Sequence, residues 1–436
     1  MAHGVSIPSK ASRMNSTRDG FARIDGKLYA EGVSLAEIAE AIGTPAYVYS
    51  ARTLRDRHST YVTALAGLDC LVAYAVKANA NLSVLKVLAR QGAGADTVSE
   101  GEIRRALEAG IAPEKIIFSG MGKTDAELAF ALALPDLQIN VESTPEFDRL
   151  CALARARAVR PLVVLRVNPD IAAGGHDKIS TGKANNKFGI PVDEALHLYR
   201  RAQDEGVVRA VGLGCHIGSQ IRETRPFRDA WTVLREMTLG LRAEGRTVSR
   251  LDLGGGLGVD YEQGRGGATP RDLGQVAAEV VGDLGVKLAV EPGRSIVADA
   301  GVLLTRVIHV NPRARGPTFL VLDAGMNDLL RPTLYDAWHG VETLTTRSGE
   351  AVAYDVVGPV CETGDTFARG RILPPMQAGD LVALRGAGAY AASMASEYNS
   401  RLPAPEALVD GHRWAVVRAR PDYAAIMSRE AVPDWL

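Results

Sequence analysis

Cysteine is scarce in this sequence. The 436-residue chain has four, Cys70, Cys151, Cys215 and Cys361, far apart and without a CxxC pair, which argues against a disulfide framework and a cysteine zinc site. A reducing, cytoplasmic setting is expected. Charge excess of either sign is also missing: 50 basic and 51 acidic residues leave a formal net charge of -1, so no global field points to nucleic acid or an anionic membrane. No run is long and apolar enough to span a bilayer, and the opening "MAHGVSIPSKASRMNSTRDG" lacks the continuous apolar core of a signal peptide. Residues 1–20 read as a disordered lead-in. Solenoid periods and low-complexity tracts are absent too. With 46% hydrophobic and 23% charged residues, the composition suits a two-domain soluble enzyme acting on small molecules.

What is present is a rhythm. After a segment at 21–45 expected to pack with the C-terminal part, eight apolar, β-branched runs alternate with amphipathic ones: "LVAYAV", "ADTVS", "KIIFSG", "LQINVES", "LVVLRVNP", "AVGLGCHIG", "RLDLGGG" and "KLAVEPG". Helical patterns such as "NLSVLKVLARQG" and "SEGEIRRALEAG" lie between, with capping residues at their starts and glycine at their ends. Eight βα units in ~250 residues match a TIM-like (β/α)8 barrel, placed at 46–301. A doubly wound open sheet is the rival, but polar and glycine-rich strand ends recur around the whole set, and a barrel gathers such ends at one mouth. From about 302 to 436 the pattern becomes strands and turns, "VLLTRVIHV", "TFLVLDAG", "AVAYDVVGPV", "DLVALRGAGAY" and "LVDGHRWAVVR", a mostly β domain.

Candidate chemistry collects at those strand ends. Lys77 closes the first run; it is either a rim lysine whose stem covers the barrel while its ammonium reaches water, or a Schiff-base lysine whose pKa is lowered in a confined mouth. "LDLGGGLGVDY" places Gly254, Gly255, Gly256 and Gly258 after run seven, a tight loop or a phosphate cradle. It is not GxGxxG, so a dinucleotide fingerprint is unsupported. "AVEPGRSIVADAG" offers Glu291, Gly293 and Arg294, as an internal ion pair or as partners of a pyridine nitrogen and an anion. "GLGCHIGSQ" supplies His216, structural or stacked on a flat cofactor, and Ser219; no His/Cys spacing supports a metal. In the β part, Cys361 and Glu362 share a glycine-rich loop, where the thiol is either inert or a proton donor. Arg331, Tyr335 and Tyr390 stand in loop-like contexts as carboxylate or phosphate binders or as ordinary surface residues.

Taken in order, "YAVKAN", "CHIGSQ", "LDLGGGLG", "EPGRSIV", "MNDLLRPTLYDAWH", "GPVCETGD" and "GAYAASMASEYNSRLPAPEALVDG" resemble the diaminopimelate decarboxylases, of the barrel-fold, alanine-racemase-like pyridoxal-phosphate class, from about residue 25 onward. The resemblance implies a homodimer with shared active sites and decarboxylation of meso-2,6-diaminopimelate to L-lysine, the last step of lysine synthesis. It makes Lys77 the Schiff-base lysine, stacks His216 on pyridoxal 5'-phosphate, puts Asp96 near the pyridine ring and bonds Glu291 to its nitrogen. Phosphate falls to Ser219, Gly255, Gly256, the backbone of Glu291, Pro292, Gly293 and Arg294, and Tyr390. Substrate falls to Arg294, Arg331, Tyr335, Tyr390 and Glu362. Cys361, expected with Glu362 from the partner subunit, returns a proton to Cα. The segment "HDKISTGKANNKFGI" is expected to shape substrate selection. Decarboxylation of ornithine, arginine or a carboxylated polyamine is the alternative, with racemisation or a non-catalytic relative further off.

Overall fold

The computed structural model describes residues 20–172, 186–262, 264–345 and 347–436. The lead-in falls outside these residues except for Gly20, as does residue range 176–185 of the expected selection segment.

Eight parallel strands, Cys70–Ala75, Gly94–Thr97, Ile116–Phe118, Gln138–Val141, Leu162–Asn168, Arg209–Gly214, Arg250–Asp252 and Lys287–Val290, pair in chain order. The eighth then pairs with the first, Leu288 opposite Cys70 and Val290 opposite Val72, which closes the barrel. Strands covered on both faces need apolar side chains on both, so they read as unbroken runs rather than alternating ones. The helices start where their caps predict. Asn81 accepts from the Ser83 amide at 2.9 Å ahead of Leu82–Arg90, and Ser99 from the Glu102 amide at 3.2 Å ahead of Glu100–Glu108. Gly92 and Gly110, at φ +86° and +87°, turn the chain out of those helices in a conformation that a side chain would strain.

The second body is a sheet in the order 366–373, 352–357, 318–322, 301–312, 46–50, 406–410 and 413–418. Strand Leu381–Leu384 also pairs with 301–312 and with Val341–Thr343. Strand Ala46–Ser50, assigned to the barrel from the sequence, belongs to this sheet: it runs antiparallel to 301–304 and parallel to 406–409. Its residues are all buried, so "AYVYS" has the same apolar character in either location. The meander 21–24, 27–30 and 33–34 packs against it through Phe21, Leu28, Val48, Val302 and Leu344. The two bodies meet at the barrel mouth, where Tyr390 donates its amide to Ala78 O at 2.8 Å and Asn79 Nδ2 donates to Gly388 O at 3.1 Å.

Candidate active site

Lys77 lies in the turn Val76–Ala78 directly after the first barrel strand, and its Nζ donates to Asp96 Oδ2 at 2.6 Å. Burial works to lower its pKa, but the Asp96 charge and then that of Glu291 outweigh it, so the amine is held well above the usual lysine range. The expected lowering is therefore reversed, because the site brings carboxylates as well as burial. Asp96 is fully buried and its second oxygen, Oδ1, has no partner.

Beside this pair, the ends of strands six to eight are knitted by backbone. Cys215 N donates to Asp252 O at 3.0 Å, Leu253 N to Ala289 O at 2.8 Å and Glu291 N to Gly254 O at 2.8 Å. The glycines make the close approach possible. A Cβ on Gly255 would stand 2.0 Å from Glu291 O, and one on Gly256 2.2 Å from Gly218 O. His216 accepts the Gly255 amide at Nδ1, 3.2 Å away. Burial, reinforced by the Arg166 and Lys77 charges, pushes its imidazole down to about 3, so the ring is neutral at physiological pH. Burial, then the neighbouring Asp96 charge, raises the Glu291 carboxyl to about 8, and its Oε1 is buried without a partner.

The internal Glu291–Arg294 pair, one of the two readings of that stretch, does not form. Arg294 instead donates Nη1 to the Tyr261 hydroxyl at 3.0 Å and Nη2 to Ser219 Oγ at 2.9 Å, with its guanidinium 4.8 Å from the Tyr390 ring centre. Its Nε is buried and unpartnered. Arg331, at the start of the short helix Arg331–Tyr335, lies 4.6 Å over the other aromatic ring, Tyr261. Both arginines are buried, 7% and 5% exposed, and with Tyr335 they line a cavity of about 180 Å³. Among the described residues neither has a carboxylate partner, and Glu262, also on the lining, pairs with Arg265.

Cys361 and Glu362 are not brought to this cavity within one chain. Both are exposed, in a turn anchored by Asp365, whose carboxylate accepts the amides of Val360 at 2.7 Å and Met326 at 2.6 Å. Sequence reasoning missed several participants. Tyr261, the last residue of "LDLGGGLGVDY", has no motif of its own to mark it. Inside the barrel, Arg250 donates to Gln138, Gln138 to Asn140 and Asn140 to Asp252 at 2.9, 2.9 and 2.8 Å. Asp252 is raised far above the carboxylate range by burial and by Glu291. The only available signal was polar residues inside strands that otherwise read as apolar.

This lysine, glycine loop and buried carboxylate at the mouth of a parallel barrel define a class. Residues 51–298 match the family model described as pyridoxal-dependent decarboxylase, pyridoxal binding domain. Diaminopimelate decarboxylase of Pseudomonas aeruginosa is 46% identical over 95% of this chain and 99% of its own length, and that of Zymomonas mobilis 43% over the same shares. The crystal structure of diaminopimelate decarboxylase from Helicobacter pylori complexed with L-lysine matches with a TM-score of 0.87 at 38% identity, covering 90% of this chain and 98% of that one. The chain belongs to the diaminopimelate decarboxylase family of pyridoxal-phosphate-dependent carboxy-lyases.

The residues present fit that cofactor. The glycine loop leaves no room for side chains where a phosphate needs backbone amides. Glu291 Oε1, Asp96 Oδ1 and Arg294 Nε are buried polar atoms still lacking partners, the mark of a site completed by a ligand.

Proposed function

We propose that this chain decarboxylates meso-2,6-diaminopimelate to L-lysine and carbon dioxide, with Lys77 holding pyridoxal 5'-phosphate through Nζ. One observation carries the choice of substrate: two buried guanidiniums, Arg294 and Arg331, share a cavity in which no described carboxylate neutralises them. A buried cation is costly until an anion joins it, and a carboxylate far from the reacting carbon is what meso-diaminopimelate has and passes on to its product L-lysine, while ornithine and arginine placed for decarboxylation lack it. Arg331 and Arg294 supply the forks for it, with Tyr335 and Tyr390 beside them.

When bound, pyridoxal phosphate supplies the sink for the electron pair left as the Cα–carboxylate bond breaks. The protein's part is to place charge and protons. Asp96 stabilises positive charge on Lys77 Nζ, Glu291 keeps a proton on the carboxyl edge that a pyridine nitrogen shares, and neutral His216 offers a flat face. Ser219, Gly255, Gly256, the Glu291–Arg294 backbone and Tyr390 hold the phosphate. Cys361 delivers the proton that replaces the lost carboxylate at Cα. Exposure of Cys361 and Glu362 outside the cavity of their own chain supports a homodimer in which each subunit lends this loop to the other. The four free thiols support a reducing, cytoplasmic setting.

The test is a panel. Purified protein with pyridoxal phosphate is given meso-diaminopimelate, ornithine and arginine, and released carbon dioxide is measured. Release from meso-diaminopimelate alone is expected; release from ornithine without it overturns the reading.

A further inference from the structure

Arg331 does not enter its cavity unguided. His339, with 0% exposure, lies eight residues on, and its Nε2 is 2.8 Å from Arg331 Nη1 while Nδ1 is 2.8 Å from Arg385 O. A carbonyl only accepts, so Nδ1 carries the hydrogen and the Nε2 lone pair accepts from the guanidinium. The Arg385 carbonyl is itself fixed, because the same residue donates its amide to Gly340 O at 2.8 Å. Tyr261 completes the clamp. Its ring lies 4.6 Å from the Arg331 guanidinium and 5.4 Å from the His339 ring, and it is backed so closely by Gly386 that a Cβ there would stand 2.8 Å from it.

We propose that His339 is a positioning residue for substrate recognition: by occupying Nη1 it turns the Nε–Nη2 edge of Arg331 into the fork presented to the distal carboxylate. This rests on the substrate reading above. A guanidinium has two edges that can grip a carboxylate with paired donors, the end edge Nη1–Nη2 and the side edge Nε–Nη2. His339 holds Nη1 with one of its two hydrogens and so fixes the plane of the guanidinium, and the edge that needs nothing from Nη1 is the second. The second retains Nε, which is buried without a partner, so that donor is unspent before substrate arrives. Burial, helped by the Arg331 charge, pushes the imidazole down to about 3, which keeps Nε2 an acceptor throughout the physiological range.

The experiment uses holoenzyme of wild type, His339→Leu and His339→Gln. It reads KM and kcat for meso-diaminopimelate, binding of pimelate (the seven-carbon dicarboxylate without amines), and inhibition by 1,5-diaminopentane, which has the chain and the amines but no carboxylate. His339→Leu should weaken pimelate and raise KM by about tenfold or more, as loss of a hydrogen bond to a charged group does. Its kcat should stay within about threefold, and inhibition by 1,5-diaminopentane should not move. His339→Gln, whose amide oxygen can accept from Nη1, should recover most of the loss. Should His339→Leu not fold, His339→Asn takes its place, since it keeps a donor toward Arg385 O but is too short to reach Arg331. Unchanged pimelate binding, equal weakening of pimelate and 1,5-diaminopentane, or a fall confined to kcat each overturns the proposal, as does a wild type that binds no pimelate. A wild type that binds pimelate but releases no carbon dioxide from meso-diaminopimelate defeats the function reading instead, while the pimelate comparison still decides the role of His339.

Discussion

Lys77 and Asp96 are joined at 2.6 Å across the ends of the first two barrel strands, with the carboxylate side chain fully buried and the lysine side chain 34% exposed. A buried carboxylate beside a cation fixes the cation's charge more firmly than it would in water, because little solvent screens it. The amine must lose its proton before it can attack a carbonyl, so with Lys77 in its proposed role Asp96 would set how readily the free enzyme captures its cofactor.

Replacing Asp96 by Asn should therefore lower the pH at which pyridoxal phosphate condenses with Lys77 by about 1–3 units, the size expected for removing an adjacent opposite charge. The absorbance of the lysine-bound cofactor, followed against pH in both proteins, reads this directly. Coincident titrations would deny Asp96 this control.

Gly255→Ala places a Cβ 2.0 Å from Glu291 O. The ends of strands seven and eight must part, at a cost of about 1–3 kcal/mol, and cofactor binding should weaken with them. Thermal unfolding and a fluorescence titration with pyridoxal phosphate are the measurements. Gly101→Ala is the control: its Cβ would meet nothing closer than Ser99 Oγ at 3.7 Å, inside the helix Glu100–Glu108, and it should be neutral or stabilising by up to about 1 kcal/mol.

If Cys361 acts across a dimer interface, Lys77→Ala and Cys361→Ala should each be inactive alone yet recover activity when mixed and allowed to exchange subunits. A mixed dimer carries one intact site, so random exchange restores about a quarter of wild-type activity. No recovery, with exchange verified by mass, would place Lys77 and Cys361 in the same subunit's site.

Acid should unfold wild type more readily than His339→Gln would lead one to expect. Native His339 is held down to about 3, whereas an unfolded histidine titrates near 6.5. Its contribution to stability is complete above about pH 6.5 and is lost as pH falls toward 3, at ~1.4 kcal/mol per pH unit, because only the unfolded chain takes up the proton there. The stability of wild type minus that of His339→Gln, from urea unfolding between pH 7 and 4.5, should fall on that slope. A flat difference removes the assignment of a neutral buried ring.

Legibility followed the range of the interactions. The eight barrel strands could be read because double burial writes itself into consecutive residues, and the helix caps because Asn81 and Ser99 act on amides two and three residues away. Motif order gave the site residues as candidates, but not their pairings. That Lys77 meets Asp96, or that Arg294 turns to Tyr261 and Ser219 rather than to Glu291, depends on which strand ends become neighbours when the barrel closes. His339 was hidden within "YDAWH" because its partners are Arg331 and a carbonyl 46 residues away. Strand 46–50 was misplaced for a similar reason: its pairing partners begin at 301 and 406, and no local pattern distinguishes two sheets that both want "AYVYS".

That strand also dictates an order of assembly. As the chain leaves the ribosome, residues 46–50 appear first, and the nearer of their two partners follows about 250 residues later, roughly 10–50 s at ordinary rates of synthesis. The barrel can complete itself in that interval, since all eight of its strands lie between 70 and 290. Arg331, Tyr335 and Tyr390 cannot be in place by then, so a nascent barrel can have its lysine and glycine loop while lacking the wall proposed to hold a distal carboxylate. On the proposed reading of that wall, selectivity is the last property the newborn enzyme acquires.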